Sequence, residues 1–363
     1  MKVSIGSKIV NGPWGGGNLF VMNLTNYLRM QGHEVIYDLC DSNIDVILLT
    51  DPRKKNNSSS KFNHKDIHMY KKYVNKNVVV VQRINECDQR KNTNNVNDLY
   101  YEASKYCDFV IFVSSWLRDI YLELGIPLNK TKVIYAGADS KVFNSNNSKI
   151  WNQKEKFKLV THHWSSHLLK GFLDYQIIDN LLNQKKWNNK LHFTYIGNIN
   201  KNFNFKNFEI IQPLHGYELA EELKKSDFYF TASVNEPSGN HHIEAAQCGL
   251  PIIFKNSGGI PEYCKNFGIS YDEDPIQAIE EAMENYFLYK KKIQNYPNNA
   301  LKMSKEFETL FIDLFSKIEI KNYKQFKFLS NLTIKYFKFK NFSSNLWLST
   351  ISKLSNLKTF LFG

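Results

Sequence analysis

The chain has 363 residues, 42% hydrophobic and 23% charged, with five cysteines and a net charge of +12. Such a length and composition call for two domains with full cores and exclude a mainly disordered chain. Cysteines at 40, 87, 107, 248 and 264, with no C-x-x-C pair, exclude a disulfide scaffold and read as free thiols in a reducing compartment.

The positive charge is concentrated late: residues 321–363 hold eight Lys and no acid, whereas the body is nearly balanced. Charge alone therefore does not make the body a nucleic-acid binder, and no nucleic-acid partner is expected. No apolar run approaches the roughly 18 residues of a membrane span. The opening MKVSIGSKIVNGPW lacks a long apolar h-region, so a cytoplasmic location is expected.

In chain order, Val3–Ile9 reads as a strand and Asn18–Gln31 as a helix, with Leu19, Met22, Leu24, Leu28 and Met30 near helical spacing and Gly32 as a stop. Strands follow at Glu34–Leu39 and Asp45–Leu49, then a helix at Lys65–Val74. Val78–Gln82 is a continuous apolar run, as a buried parallel strand requires. Helices at Leu99–Tyr106 and Ser115–Leu124 alternate with strands at Phe109–Val113 and Lys132–Tyr135. The polar stretch Lys141–Gln153 reads as a linker.

The alternation then restarts. Strands are expected at Phe157–Thr161, Leu191–Ile196, Phe228–Thr231 and Pro251–Phe254. Helices are expected at Phe172–Asn183, Tyr217–Lys225, Asn240–Cys248, Asp274–Tyr289 and Asn299–Lys317. The pattern predicts an α/β chain of two Rossmann-like, doubly wound parallel-sheet domains, 1–150 and 151–320, facing a cleft, followed by a basic helical tail, 321–363. A ligand is expected where the carboxyl ends of the two sheets meet.

The strongest chemical signal is Glu236-Pro237-Ser238-Gly239-Asn240-His241-His242-Ile243-Glu244. A strand ends in a turn and a helix opens near Asn240, offering free N–H groups and a positive dipole end to phosphate. Gly239 permits close backbone approach. Glu244, one turn in, can face the same cleft. The spacing equally suits a strand-turn-helix with an ordinary acidic face.

This segment resembles the E-x7-E motif of retaining GT-B glycosyltransferases of family 4 (glycosyl transferases group 1), differing mainly at Ser238, where an aromatic is common. Gly15-Gly16-Gly17-Asn18, Gly32-His33-Glu34-Val35, Ile134 to Asp139 with Phe143, Lys170-Gly171 and Gly258-Gly259-Ile260-Pro261-Glu262 resemble that family's other motifs in the same order, over about residues 1–315. The resemblance implies a GT-B fold and transfer of a sugar from a nucleotide-diphosphate donor to a glycan or lipid-linked acceptor, with retention and without a metal or other cofactor. It further implies that Glu244 holds the ribose, that Glu236 sits by the donor sugar, and that the Ser238, Gly239, Asn240 and His241 backbone surrounds sugar and phosphate. Gly16 and Gly17 would admit the diphosphate, and Lys170 would neutralise it as it leaves. Alternatives within the same resemblance are a nucleotide-sugar epimerase and a non-catalytic nucleotide-sugar-binding protein.

Two departures stand out. Ser165 occupies the position of an arginine common in the family, and no His follows the fourth strand; Arg83, Asn85 and Asp88 lie there instead and are the candidate contacts to sugar or acceptor, with a capped loop as the equal alternative. His162, His163 and His167 suggest a metal, but no nearby carboxylate or Cys in sequence completes a site, and His241 and His242 are expected to point apart. Asp272-Glu273-Asp274 contains a D-x-D, read as an acidic helix start. In the tail, Trp347, Ile351, Leu354, Leu357 and Leu361 form one apolar stripe. With the Lys excess, it suggests attachment to an anionic membrane surface; packing on the body is the alternative.

Overall fold

The structure, a computed structural model, describes residues 1–9, 15–53, 59–318 and 327–342. Two six-stranded parallel sheets organise it. The first comprises β1 (Lys2–Ile5), β2 (Glu34–Ile36), β3 (Val46–Leu49), β4 (Val79–Ile84), β5 (Phe109–Phe112) and β6 (Thr131–Val133), in the order β2-β1-β3-β4-β5-β6. The second comprises β7 (Phe157–His163), β8 (Leu191–Gly197), β9 (Glu209–Ile211), β10 (Phe228–Thr231), β11 (Ile252–Lys255) and β12 (Gly268–Tyr271), in the order β12-β11-β10-β7-β8-β9. Every residue of β3, β4 and β10 is buried, the expected outcome for near-continuous apolar strands covered on both faces. Strand order reverses between β1 and β3 and between β7 and β10, so each half has one crevice at its carboxyl edge.

The short strands β9 and β12 and the five-residue helix Ile260–Cys264 escape the sequence patterns because each is too brief to show a period. The expected helix Asp274–Tyr289 is two, Pro275–Glu284 and Tyr286–Ile293, separated at Asn285. That break turns Tyr286 into the core, where it packs edge-on to Trp151 and Phe157. Asp274 Oδ1 accepts from the Ile276 amide at 2.8 Å, so the acidic run does begin a helix.

Domain membership follows packing rather than chain order. The helix Ala300–Ser316, expected in the second half, lays Met303, Phe307, Leu310 and Phe311 on the first, against Phe20, Val21 and Leu24 of the helix Gly16–Met30. The Phe20 and Phe307 rings are 5.2 Å apart, and Glu308 accepts from Tyr27 Oη at 2.7 Å. Its apolar stripe covers a sheet face that the first half leaves open.

The helix at 327–342 also returns to the first half. Phe337 is buried with Leu39, Ile67 and Tyr70, and Lys340 pairs with Asp66. The tail is therefore not wholly separate from the body, because one side of this helix is apolar enough to join the core. The stripe from Trp347 to Leu361 lies outside the described residues.

Candidate functional site

β10 leads into the turn that ends at Gly239, and the helix Asn240–Gln247 follows. Gly239 has φ +73°, and a Cβ there would meet His241 Cε1 at 2.7 Å and His242 Cε1 at 2.9 Å. Ser238 is half-buried beside it, and Asn240 is the first helical residue. Glu236 lies buried in the turn, bonded to Lys170 Nζ and 3.2 Å from Arg90 Nε. Burial alone would raise the Glu236 carboxyl, but Arg90 and Lys170 outweigh it and hold the group at about 2. Burial likewise lowers Lys170, against the pull of Glu236.

Lys170 closes the 3-10 turn Leu168–Lys170. Gly171 follows with φ +96°, and a Cβ there would lie 2.2 Å from Ala232 Cβ. Only glycine lets this turn press on the exit of β10, and that contact brings Lys170 to Glu236.

The exit of β7 supplies the floor. His162 Nε2 is 3.0 Å from Glu244 Oε2, and His163 Nε2 is 2.6 Å from Tyr175 Oη. His241 Nε2 is 2.9 Å from Thr231 Oγ1, and its ring is 4.8 Å from that of His163. Neither ring nitrogen of His242, nor Nδ1 of His162 or His163, has a partner among the described residues. Burial drives His163 and His241 well below their ordinary value and His242 to about 3, so these imidazoles are neutral near pH 7. The His241 and His242 rings do not point apart; they sit 5.0 Å from each other, both against Gly239, which has no Cβ to separate them. His167 accepts from the Leu169 amide in its own turn and stays outside this group. No three His, Cys, Asp or Glu side chains gather to hold a metal among the described residues.

Facing this, Gly16 opens the helix Gly16–Met30, and a Cβ on it would lie 2.8 Å from Asn240 Cγ. Gly17 faces open space. Arg83, at the carboxyl end of β4, is buried with its guanidinium 3.9 Å above the Phe20 ring. Asn85 is half-buried just beyond.

Asp88 is a different case from its expected role. Its Oδ1 accepts from Thr93 Oγ1, Asn95 N and Val96 N, and its Oδ2 from Asn97 N at 2.9 Å. The carboxylate is occupied in fastening the loop that starts the helix Val96–Ser104.

Sequence reading passed over Arg90 and named Glu262 only within the Gly258–Glu262 motif, without a role. Arg90 joins Glu236 to Glu86, whose two oxygens both lie 3.2 Å from Arg90 Nη1. Its one sequence signal is the i, i+4 spacing from Glu86. Glu262, in the second half, accepts the Ser115 and Trp116 amides of the first, both at 2.8 Å, and so caps the helix Ser115–Glu123 from across the boundary. Beside it, Tyr263 Oη donates to the Val113 carbonyl.

Comparisons with known proteins agree with this architecture. Residues 188–303, about a third of the chain, match the family model described as Glycosyl transferases group 1. No curated protein sequence matches significantly. Among solved structures, HepE of Anabaena in complex with UDP-glucose is similar at 13% identity and TM-score 0.63, over 86% of this chain and 100% of that one. The catalytic domain of starch synthase IV from Arabidopsis thaliana, bound to ADP and acarbose, is similar at 11% identity and TM-score 0.63, over 87% and 99%. Sucrose-phosphate synthase from Thermosynechococcus elongatus is similar at 14% identity and TM-score 0.59, over 87% and 99%. The chain thus has the GT-B fold, with the group 1 match lying in its second half.

Proposed function

We propose that the protein is a retaining, hexosyltransferase-type glycosyltransferase (EC 2.4) that moves a sugar from a nucleotide-diphosphate donor to a glycan or lipid-linked acceptor. The observation that carries this reading is the buried Lys170–Glu236–Arg90 cluster beside the N-terminus of the helix Asn240–Gln247, at the crevice between β7 and β10. The helix end and Lys170 bind the donor diphosphate. Lys170 stabilises the charge that builds on it as the glycosidic bond breaks. Glu244 accepts from the ribose hydroxyls, held by His162; Glu236 orients the donor sugar, and the Gly16–Gly17 loop closes over the phosphates.

No protein carboxylate is assigned as nucleophile, because Glu236 is committed to two cations. In the proposed front-face displacement, a donor phosphate oxygen takes the acceptor proton as the acceptor oxygen attacks. The two halves supply positioning and exclude water. Metal ions are not required.

The helix at 327–342 supports membrane attachment, since it leaves Phe328, Phe339 and Phe342 exposed beside a Lys-rich surface. Sedimentation with anionic liposomes, lost on replacing these three with Ser, checks that part.

A thermal-shift screen against UDP-, GDP-, ADP- and dTDP-sugars, followed by transfer assays on the best binder, tests the whole. Product of the donor's anomeric configuration, formed in the presence of EDTA, is expected. Acceptor-independent conversion of the donor to another sugar would reveal an epimerase, and binding without turnover a non-catalytic protein.

A further inference from the structure

Among the described residues, most cations at this cleft meet a carboxylate. Lys170 and Arg90 share Glu236, Arg90 also holds Glu86, and Arg53 grips Asp51 at 2.8 Å. Arg83 is only 5% exposed, yet no oxygen among the described residues accepts from its guanidinium. Its guanidinium lies over the face of Phe20. Burial pulls it down to about 10, and the groups that oppose this are the phenols of Tyr263 and Tyr100 rather than any carboxylate.

Its position is at the meeting of the halves. Arg83 is the penultimate residue of β4, at the carboxyl edge of the first sheet. Gln82 turns the other way, donating to the Tyr100 carbonyl. Phe20 belongs to the helix opened by Gly16, the residue that touches Asn240, and Tyr263 comes from the second half. A buried cation without an anion is strongly unfavourable, and a planar guanidinium fork matches a carboxylate or phosphate in two parallel bonds.

We propose that Arg83 binds an anionic group of the substrate, a phosphate or a carboxylate, in the cleft between the two halves. This rests on the glycosyltransferase reading above and narrows its substrate class. The anion has two sources: the donor diphosphate, or an acidic group on the transferred or accepting sugar. Arg83 belongs to the half opposite Lys170 and is a binding residue, distinct from the Lys170–Glu236 pair.

The test compares the full-length wild type with Arg83→Gln and Arg83→Lys by thermal shift, using inorganic phosphate and acetate as probes. Each is added alone and with a saturating nucleoside diphosphate. Anion-dependent stabilisation of the wild type is expected, lost in Arg83→Gln and partly kept in Arg83→Lys, with apparent affinity for phosphate falling about tenfold in the Gln variant. A response that persists with the nucleotide bound assigns an acidic sugar group; one that the nucleotide abolishes assigns the diphosphate.

Equal anion responses in wild type and Arg83→Gln overturn the proposal. Removal of an unpaired charge leaves the ligand-free protein at least as stable, so a lower ligand-free melting temperature or failure to fold marks a structural Arg83 and also overturns it. Wild type that binds no nucleoside diphosphate sinks the glycosyltransferase reading itself. Nucleotide binding with no Arg83 effect sinks only the present inference.

Discussion

On the second-half face of the cleft, Glu236, Gly239, Asn240, His241 and Glu244 come from nine consecutive residues; on the first-half face, Gly16, Arg83 and Arg90 come from three separate segments. On the second face Glu236 is paired with Lys170 and Arg90, Glu244 lies 3.0 Å from His162 Nε2, and His241 and His242 are neutral. The first holds a buried arginine with no counter-anion among the described residues. A phosphate site can be made from one strand-turn-helix because helix N–H groups are contiguous in sequence. A face that recognises a variable partner has to be gathered from several strand ends.

Substitutions at the two faces should differ accordingly. The largest effect is expected for Glu236→Gln. It keeps the shape but removes the charge shared by Lys170 and Arg90, and turnover should fall about 10²–10³-fold. Steady-state kinetics at saturating donor measures it, and near-normal turnover removes Glu236 from the chemistry.

Glu244→Ala comes next. Donor affinity should weaken by about 1.5–3 kcal/mol, the worth of a hydrogen bond to a charged group. Calorimetric titration with the nucleoside diphosphate reads this directly, and unchanged affinity would place the nucleotide elsewhere. Arg90→Gln should lower turnover about tenfold, or about 1.4 kcal/mol. Folding stability should change less, because Lys170 stays on Glu236 and Lys91 on Glu86. A purely structural Arg90 would show the reverse pattern.

A pH series separates the faces by titration. His242 titrates at about 3 in the folded protein, against an ordinary value near 6.5, so below pH 6.5 the unfolded chain takes up a proton that the folded chain refuses. Stability should therefore fall as pH drops from 6.5 towards 3. His242→Leu should flatten that slope by about 1.4 kcal/mol per pH unit. Urea midpoints at several pH values decide this, and an unaltered slope means the imidazole is charged or solvated.

The smallest effect belongs to the first half. Asp88→Ala should cost about 1 kcal/mol of stability through the lost loop and helix cap, with donor affinity unchanged. Loss of affinity instead would restore Asp88 to the substrate site.

The alternation of strands and helices is written in local patterns, because a parallel strand buried on both faces must be a short apolar run and its crossover helix must be amphipathic. The Glu236–Glu244 segment is legible for a similar reason: its turn, helix start and two carboxylates sit at fixed local spacing. Gly16 meeting Asn240 shows the limit. Each residue is conspicuous in its own segment, but their contact across the cleft follows from how the halves pack. Asp88 shows another limit, since strand-end position suited a ligand contact and a capped loop equally, and it is the fold that brings four neighbouring donors to the carboxylate.

The sequence by itself determined two α/β halves and the strand-turn-helix from Glu236 to Glu244, while the resemblance, not the local pattern, placed Lys170 and Glu236 at one site. Tertiary structure alone decided that Ala300–Ser316 and part of the tail pack on the first half, that Arg90 completes the Glu236 cluster, and that Arg83 meets no carboxylate among the described residues. Local spacing encodes hydrogen bonding and amphipathicity within a segment. Charge compensation between segments depends on distances of a few ångströms that only the packed fold sets.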